Sequence, residues 1–303
     1  MILSINKHIK FSNYYKKLNL FSLILIFLSL VLLLFKGLNF GVDFKGGTLI
    51  EIRTNASNIN IGDIRQSFLK MDLGDVTVKK FGKQNDYLVK IEKKNDNKSD
   101  FIESINNQLT SDLGSKIDFR RVENVGPKVS KELLNDGILA ITLSLAAMLF
   151  YIWIRFEWQF SIGAIVALVH DVIITLGIFS LLSYEINLSI VAAVLTIVGY
   201  SMNDTVVIFD RIRENLKKYS KIETKEIFDD SINETLSRTI ITSVTTLLAL
   251  VSIFIFGGEI LKGFSLAMIL GVIFGTYSSI YIANPILIFF NVSQKTILKE
   301  EKD

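Results

Sequence analysis

The run Asn187–Phe209, NLSIVAAVLTIVGYSMNDTVVIF, decides the architecture. It is long enough to cross a bilayer as a helix, and it holds one carboxylate, Asp204, with no basic residue to neutralise it. An ionised aspartate near the middle of a lone spanning helix costs about 2.5–3.5 kcal/mol on insertion scales. Such a residue belongs in a bundle interior, beside a wet cavity, or with a proton on it. The run therefore predicts a membrane protein, and one that moves something or couples to ions.

Working outward, five more runs have the same character. An apolar fraction of 50% also occurs in soluble domains, so the clustering decides the class rather than the fraction. The six predicted spans are Asn19–Phe35, Leu133–Ile154, Trp158–Ser180, Leu188–Phe209, Thr239–Phe256 and Phe264–Phe290, the last with room to tilt or to bend near Asn284-Pro285. The first also resembles a secretory signal, with Lys7, Lys10, Lys16 and Lys17 before it. Its apolar region is too long and runs into Phe35-Lys36-Gly37-Leu38 with no small-x-small cleavage site, which predicts an uncleaved anchor.

Basic residues orient the bundle. The tail 1–18, the loop 210–238 (with Arg211, Arg213, Lys217, Lys218, Lys221, Lys225 and Arg238) and the tail 291–303 fall on one side of six crossings. By the positive-inside rule that side is cytoplasmic, placing both termini inside and the long polar stretch 36–131 outside. The expected location is a bacterial inner membrane.

Stretch 36–131 alternates strands and helices. Thr48–Arg53, Val76–Phe81, Tyr87–Glu92 and Ile117–Val125 read as strands, with residues 82–86 as a hairpin connection. Ile61, Ile64, Phe68 and Met71 mark one helix face. Phe101, Ile105 and Leu109 mark another, opened by a capping pair Asp100 and Glu103. The order β-α-β-β-α-β predicts a ferredoxin-like plait, which names no function by itself.

Several chemistries are excluded or disfavoured. The chain has no cysteine and two histidines, His8 and His170, which leaves no thiol chemistry and little for a zinc site. A formal charge of +3, from 33 basic and 30 acidic residues, gives no sign of nucleic-acid binding. No Walker pattern and no glycine fingerprint after a strand is present, so ATP hydrolysis by that route is not expected. These exclusions leave a membrane protein that moves something or couples to ions, with no cofactor and no enzymatic activity expected.

Asp204 lies roughly 8 Å inside the cytoplasmic edge of its span at 1.5 Å per residue. On its helical face lie Tyr200, Val207 and Arg211, so an ion pair with Arg211 is one reading and reversible protonation is another. Arg238 sits at a similar depth, either as a boundary cation or as a switchable partner for Asp204. Asp171, halfway along the third span, is a relay candidate or a buried acid hydrogen-bonded to Ser or Thr of a neighbouring helix, and His170 is a proton carrier or a helix-packing donor. Asn203 neighbours the acid. Gly271 and Gly275, with Gly199, form small faces suited to helix contacts.

Four stretches resemble a known family. Gly41-Val42-Asp43-Phe44-Lys45-Gly46-Gly47-Thr48 follows the first span, and Val169-His170-Asp171-Val172 with Gly177-Ile178-Phe179-Ser180 occupies the third. The most specific stretch is residues 198–215, VGYSMNDTVVIFDRIREN, and residues 231–239, SINETLSRT, complete the set. These resemble the SecF side of the SecD/SecF family of protein-export subunits, within the RND transporter superfamily. The resemblance implies pairing with SecD and association with the SecYEG channel and YajC, with YidC as a further candidate. It also implies an unfolded preprotein substrate and use of the proton-motive force late in export, and it assigns proton coupling to Asp204 and Arg238. Asp43, Phe44, Gly46 and Gly47 then read as a stiff joint after the first span. A proton/small-molecule antiporter, the chemistry of the wider superfamily, and a non-conducting assembly subunit are the competing functions.

Overall fold

The computed structural model describes residues 8–54, 59–80, 85–92, 98–219 and 221–300. It divides into two compact units, Met1–Asn39 with Leu139–Asp303, and Phe40–Ile138.

In the first unit the helices are α1 (Tyr15–Phe35), α5 (Pro127–Arg155, entering from the second unit), α6 (Trp158–Leu182), α7 (Leu188–Lys218), α8 (Thr224–Phe256), α9 (Gly258–Ser278), α10 (Asn284–Phe289) and α11 (Gln294–Glu300). Among the described residues, six helical segments are long and apolar enough to cross a membrane. Half of the apolar window of α6, of α7 and of the α9–α10 segment is buried, against 11%, 11% and 17% for α1, α5 and α8. The three inner helices therefore carry the interior, and their polar residues are the ones removed from lipid.

Local chemistry sets the ends. The Asn187 side chain caps α7 by accepting the Ile190 N–H at 3.1 Å, and Ser183 closes α6 in the left-handed region at φ 55°. Phe156, Phe160 and Phe209 pack edge and face at one end of the bundle, with Phe228 and Ile232 of α8 in the same core.

The predicted loop 210–238 is mostly helix. α7 continues to Lys218 and α8 begins at Thr224. Hydropathy falls at the membrane edge, but the amphipathic period does not. Ile212, Leu216, Ile227, Phe228 and Ile232 are buried, while Arg211 pairs with Glu214 and Glu234, and Asn215 donates to Ser231 and Glu234. The start of the chain is fastened to this hairpin. Ser12 donates its N–H and its hydroxyl to Asp229 at 2.8 and 2.6 Å. Asn233 accepts from the Ile9 N–H and donates to the Ile9 carbonyl at 3.0 and 2.8 Å.

Close packing runs through glycines. A Cβ at Gly177 of α6 would sit 2.8 Å from Ser29 Cα on α1. One at Gly271 would sit 2.7 Å from Ile197 Cδ1, and one at Gly275 2.9 Å from Ser201 Cβ. Gly199 does not belong with them: nothing lies within 4 Å of its Cβ position, and it is exposed, two residues from both Ile197 and Ser201 and so on the opposite face of α7.

The second unit contains α2 (Val42–Lys45), β2 (Gly47–Thr54), α3 (Ile61–Leu69), β3 (Val76–Lys80), β4 (Asp86–Ile91), α4 (Lys98–Leu113) and β5 (Ile117–Val125). Two-residue strands β1 (Asn39–Phe40) and β6 (Glu185–Ile186) lie outside this sheet. The sheet order is β3-β4-β2-β5, antiparallel throughout, with Ile50 opposite Val89 and Val122 and an irregularity between Glu51 and Ile52. Ile50, Ile52, Ile64, Phe68, Val89, Ile91, Ile105 and Leu109 form its core, so both predicted helix stripes face the sheet. The capping box belongs to α3, where Asn60 and Asp63 bond reciprocally. The predicted connection lies largely outside the described residues, as does the Asp100 side chain.

Gly46 and Gly47 have φ of 79° and 121°, and a Cβ at Gly47 would press to 2.5 Å from the Ile91 carbonyl oxygen. Gly47→Ala is expected to destabilise this unit by roughly 1–3 kcal/mol, because strain and collision act together. A denaturant midpoint equal to wild type for the unit would refute that requirement.

Candidate functional site

The α7–α9 approach at Gly275 and Ser201 brings the last turn of α9 against carboxylates on α6 and α7. Asp171 is fully buried and well supplied with donors. Its Oδ2 accepts from Ser201 Oγ at 2.7 Å and Ser278 Oγ at 2.8 Å. Its Oδ1 lies 2.9 Å from His170 Nδ1, the distance at which an Nδ1–H donates. Donors from α6, α7 and α9 thus meet on one carboxylate. The His170 ring stacks on Tyr277 with centroids 6.0 Å apart, and its Nε2 is buried without a hydrogen-bond partner among the described residues.

Asp204 is as hidden, at 4% exposure, but poorly served. Thr276 Oγ1 donates to Oδ2 at 3.4 Å, and the Thr276 hydroxyl is itself 2.7 Å from Ser243 Oγ of α8. Arg238 acts on Asp204 electrostatically, with no ion pair formed between them and its own side chain exposed. The bidentate fork that an arginine could offer is absent here. Arg211, the other expected partner, is taken by Glu234 and Glu214. The ion-pair reading of Asp204 with Arg211 does not hold, since Arg211 lies on the same face but two turns further along α7, beside Glu234 of α8.

The structure therefore brings together Asp171, His170 and Asp204 around α9, with Arg238 alongside. Asn203 is exposed on the far side of α7 and takes part in neither cluster. Asp171 meets hydroxyls of neighbouring helices, as one reading of it expected, but the sequence did not single out Ser243, Thr276 or Ser278. Their signal was present as polar residues inside spanning runs. Asp43, Phe44, Gly46 and Gly47 sit elsewhere: Asp43 and Phe44 in the short α2, where Phe44 is buried and its ring meets Phe40, and the glycines at the entry to β2.

The arrangement can bind and release a proton at one under-solvated acid while a second holds three helices together. The family described as "Protein export membrane protein SecD/SecF, C-terminal" matches residues 105–293, which contain every residue of this cluster. The chain belongs to the SecD/SecF family. A second family description, "SecD/SecF GG Motif", matches residues 31–57 and so covers Gly46 and Gly47.

Similar relatives include the protein translocase subunit SecF of Rickettsia bellii (strain OSU 85-389), 45% identical over 281 residues and covering 92% of each chain. That of Vibrio alginolyticus is 43% identical over 301 residues, 98% of this chain and 94% of the relative. Among solved structures, SecDF from Thermus thermophilus, described as a translocon-associated membrane protein, matches with a TM-score of 0.85 at 33% identity. The match covers 96% of this chain and 40% of that one, so the chain spans well under half the solved SecDF chain. Its six apolar helices and inserted β/α unit are those of a multi-pass protein of the bacterial inner membrane.

Proposed function

We propose that this chain is the SecF-type half of an accessory unit that uses inward proton flow to assist preprotein export, with Asp204 as the group that carries the proton. The observation that carries the site assignment is the contrast between two buried acids. Asp171 has three polar partners within 2.9 Å, whereas Asp204 has the Thr276 hydroxyl at 3.4 Å with the Ser243 hydroxyl beside it. A buried carboxylate with so little support gains most from a proton or from an approaching cation, and Arg238 is the cation placed to approach. Asp171 and His170 act mainly as the tie between helices, with the bare Nε2 of His170 as a second place for a proton.

The partner assignment is supported by the share of the solved chain that this one leaves uncovered, which fits a SecD-type half. SecYEG, YajC and YidC are candidate neighbours on the strength of the family alone. The substrate is an unfolded polypeptide. The membrane potential supplies roughly 2.3 kcal/mol per proton per 100 mV, enough to bias a two-state bundle and too little to drag a chain in one stroke. The test is reconstitution with a SecD partner and the channel in vesicles. Export should rise with an imposed inward proton gradient, and gradient-independent export would sink the proposal.

The ferredoxin-like assignment of the β/α unit is supported by its β-α-β-β-α-β order and its β3-β4-β2-β5 sheet. Sidedness rests on the basic residues of 1–18, 210–238 and 291–303. A periplasm-active reporter fused after Asn85 is expected to be active and one after Lys218 silent. The opposite pattern would invert the topology.

A further inference from the structure

Between α9 and α10 the chain makes a π-turn, Ser279–Ala283, directly after the hydroxyls that serve both acids and directly before Asn284-Pro285. Its chemistry is encoded locally. Pro285 has no N–H, and in the π register the carbonyl it leaves unserved is that of Ile280, five residues back. The side-chain amide of Asn284, wholly buried, donates to that carbonyl at 3.3 Å and to the Ser279 carbonyl at 3.1 Å. The turn presses toward α6 at a position that admits it, since a Cβ on Gly163 would lie 3.0 Å from the Ala283 carbonyl oxygen.

The extra residue of a π-turn rotates the downstream helix by about 100° relative to an unbroken one. Two faces depend on that rotation. Upstream, Thr276 and Ser278 face Asp204 and Asp171. Downstream, Leu287 is fully buried in the bundle core, as is Ala283 at the end of the turn. In a continuous α-helix, seating Leu287 would turn Thr276 and Ser278 away from the acids.

We propose that Asn284 is a positioning residue: by closing the π-turn it holds the Thr276 and Ser278 hydroxyls on Asp204 and Asp171 at once, so that the two acids are read through one helical turn. The functional part of this proposal rests on the reading of Asp204 as the proton carrier. The groups facing the pair are Arg238 and Ser243 from α8, His170 from α6, Ser201 from α7, and Thr276, Tyr277 and Ser278 from α9.

The experiment uses the full chain with its SecD partner and the channel in vesicles. It compares wild type, Asn284→Ala (N284A) and the double variant N284A/P285A. Carboxyl infrared bands are assigned with D171N and D204N. N284A is expected to lower gradient-dependent export about tenfold, the scale of leaving one buried group unsatisfied. It should also displace the export–pH profile and move the bands of both acids. The double variant regains a backbone N–H at position 285 to serve the freed carbonyl, so it should recover thermal stability without recovering export. Wild-type export in the double variant would reduce Asn284 to a helix cap and overturn the proposal, as would unmoved bands in N284A. Normal gradient-dependent export in D204N would instead overturn the reading of Asp204, and the infrared bands would still decide the role of Asn284.

Discussion

Asp204→Asn is expected to abolish proton-driven stimulation of export while leaving the subunit inserted and paired. Asn keeps the volume of the side chain and can still accept from Thr276, but it cannot exchange a proton or change its charge. The polar support of Asp204 is confined to the Thr276 hydroxyl at 3.4 Å and the neighbouring Ser243 hydroxyl, and an amide oxygen can still accept from them, so the substitution disturbs little packing. It also spares the bundle an under-compensated buried carboxylate, so the thermal midpoint of the purified protein should not fall. The readout is the export rate of reconstituted vesicles with and without an imposed gradient. Wild-type stimulation in D204N would remove Asp204 from the mechanism.

Gly177→Val acts on a different element and by sterics alone. The α1–α6 contact places the Gly177 Cβ position 2.8 Å from Ser29 Cα, a backbone atom that no rotamer change can move. Valine would force the helices apart and strip the anchoring bonds beyond, in which Ser180 donates to the Gly37 carbonyl and Lys36 to the Leu181 carbonyl, each at 2.7 Å. Overpacking of this kind costs roughly 1–3 kcal/mol, and the loss of these bonds adds to it. The expected result is a clear fall in thermal midpoint in detergent, together with new protease sensitivity near Gly37. An unchanged midpoint would show that α1 is held by other contacts.

The spans were legible because hydropathy over about 20 residues is a strong signal, and the strands because β2 and β4 alternate. Asp204 and Asp171 were legible as anomalies, each a charge in an apolar run. Their surroundings were not. Ser201, Thr276 and Ser278 are ordinary hydroxyls until α7 and α9 are known to cross at Gly275. Arg211 shares a helical face with Asp204 and Arg238 only its depth, and it is the α7–α8 pairing of Arg211 with Glu234 that takes Arg211 out of play. The helical ends of α7 and α8 were hidden because polar amphipathic helix and polar loop have the same hydropathy. The π-turn left only Asn284-Pro285, which reads as a bend without stating its register.

The fastening of the chain start to α8 has a mechanical consequence. Asp229 and Asn233 grip Ser12 and Ile9 on the helix that carries Arg238, while at the other end of α1 Ser180 grips Gly37 from the helix that carries Asp171. The outer helix α1 is thereby a strut pinned at both ends, one pin on each helix whose separation the proton site would change. Sliding α8 along α6 would stretch or tilt that strut, and spinning α8 would carry its two pins sideways and pull on the Arg211–Glu234 and Asn215–Ser231 ties to α7. Any displacement of Arg238 relative to Asp204 therefore loads α1 as well.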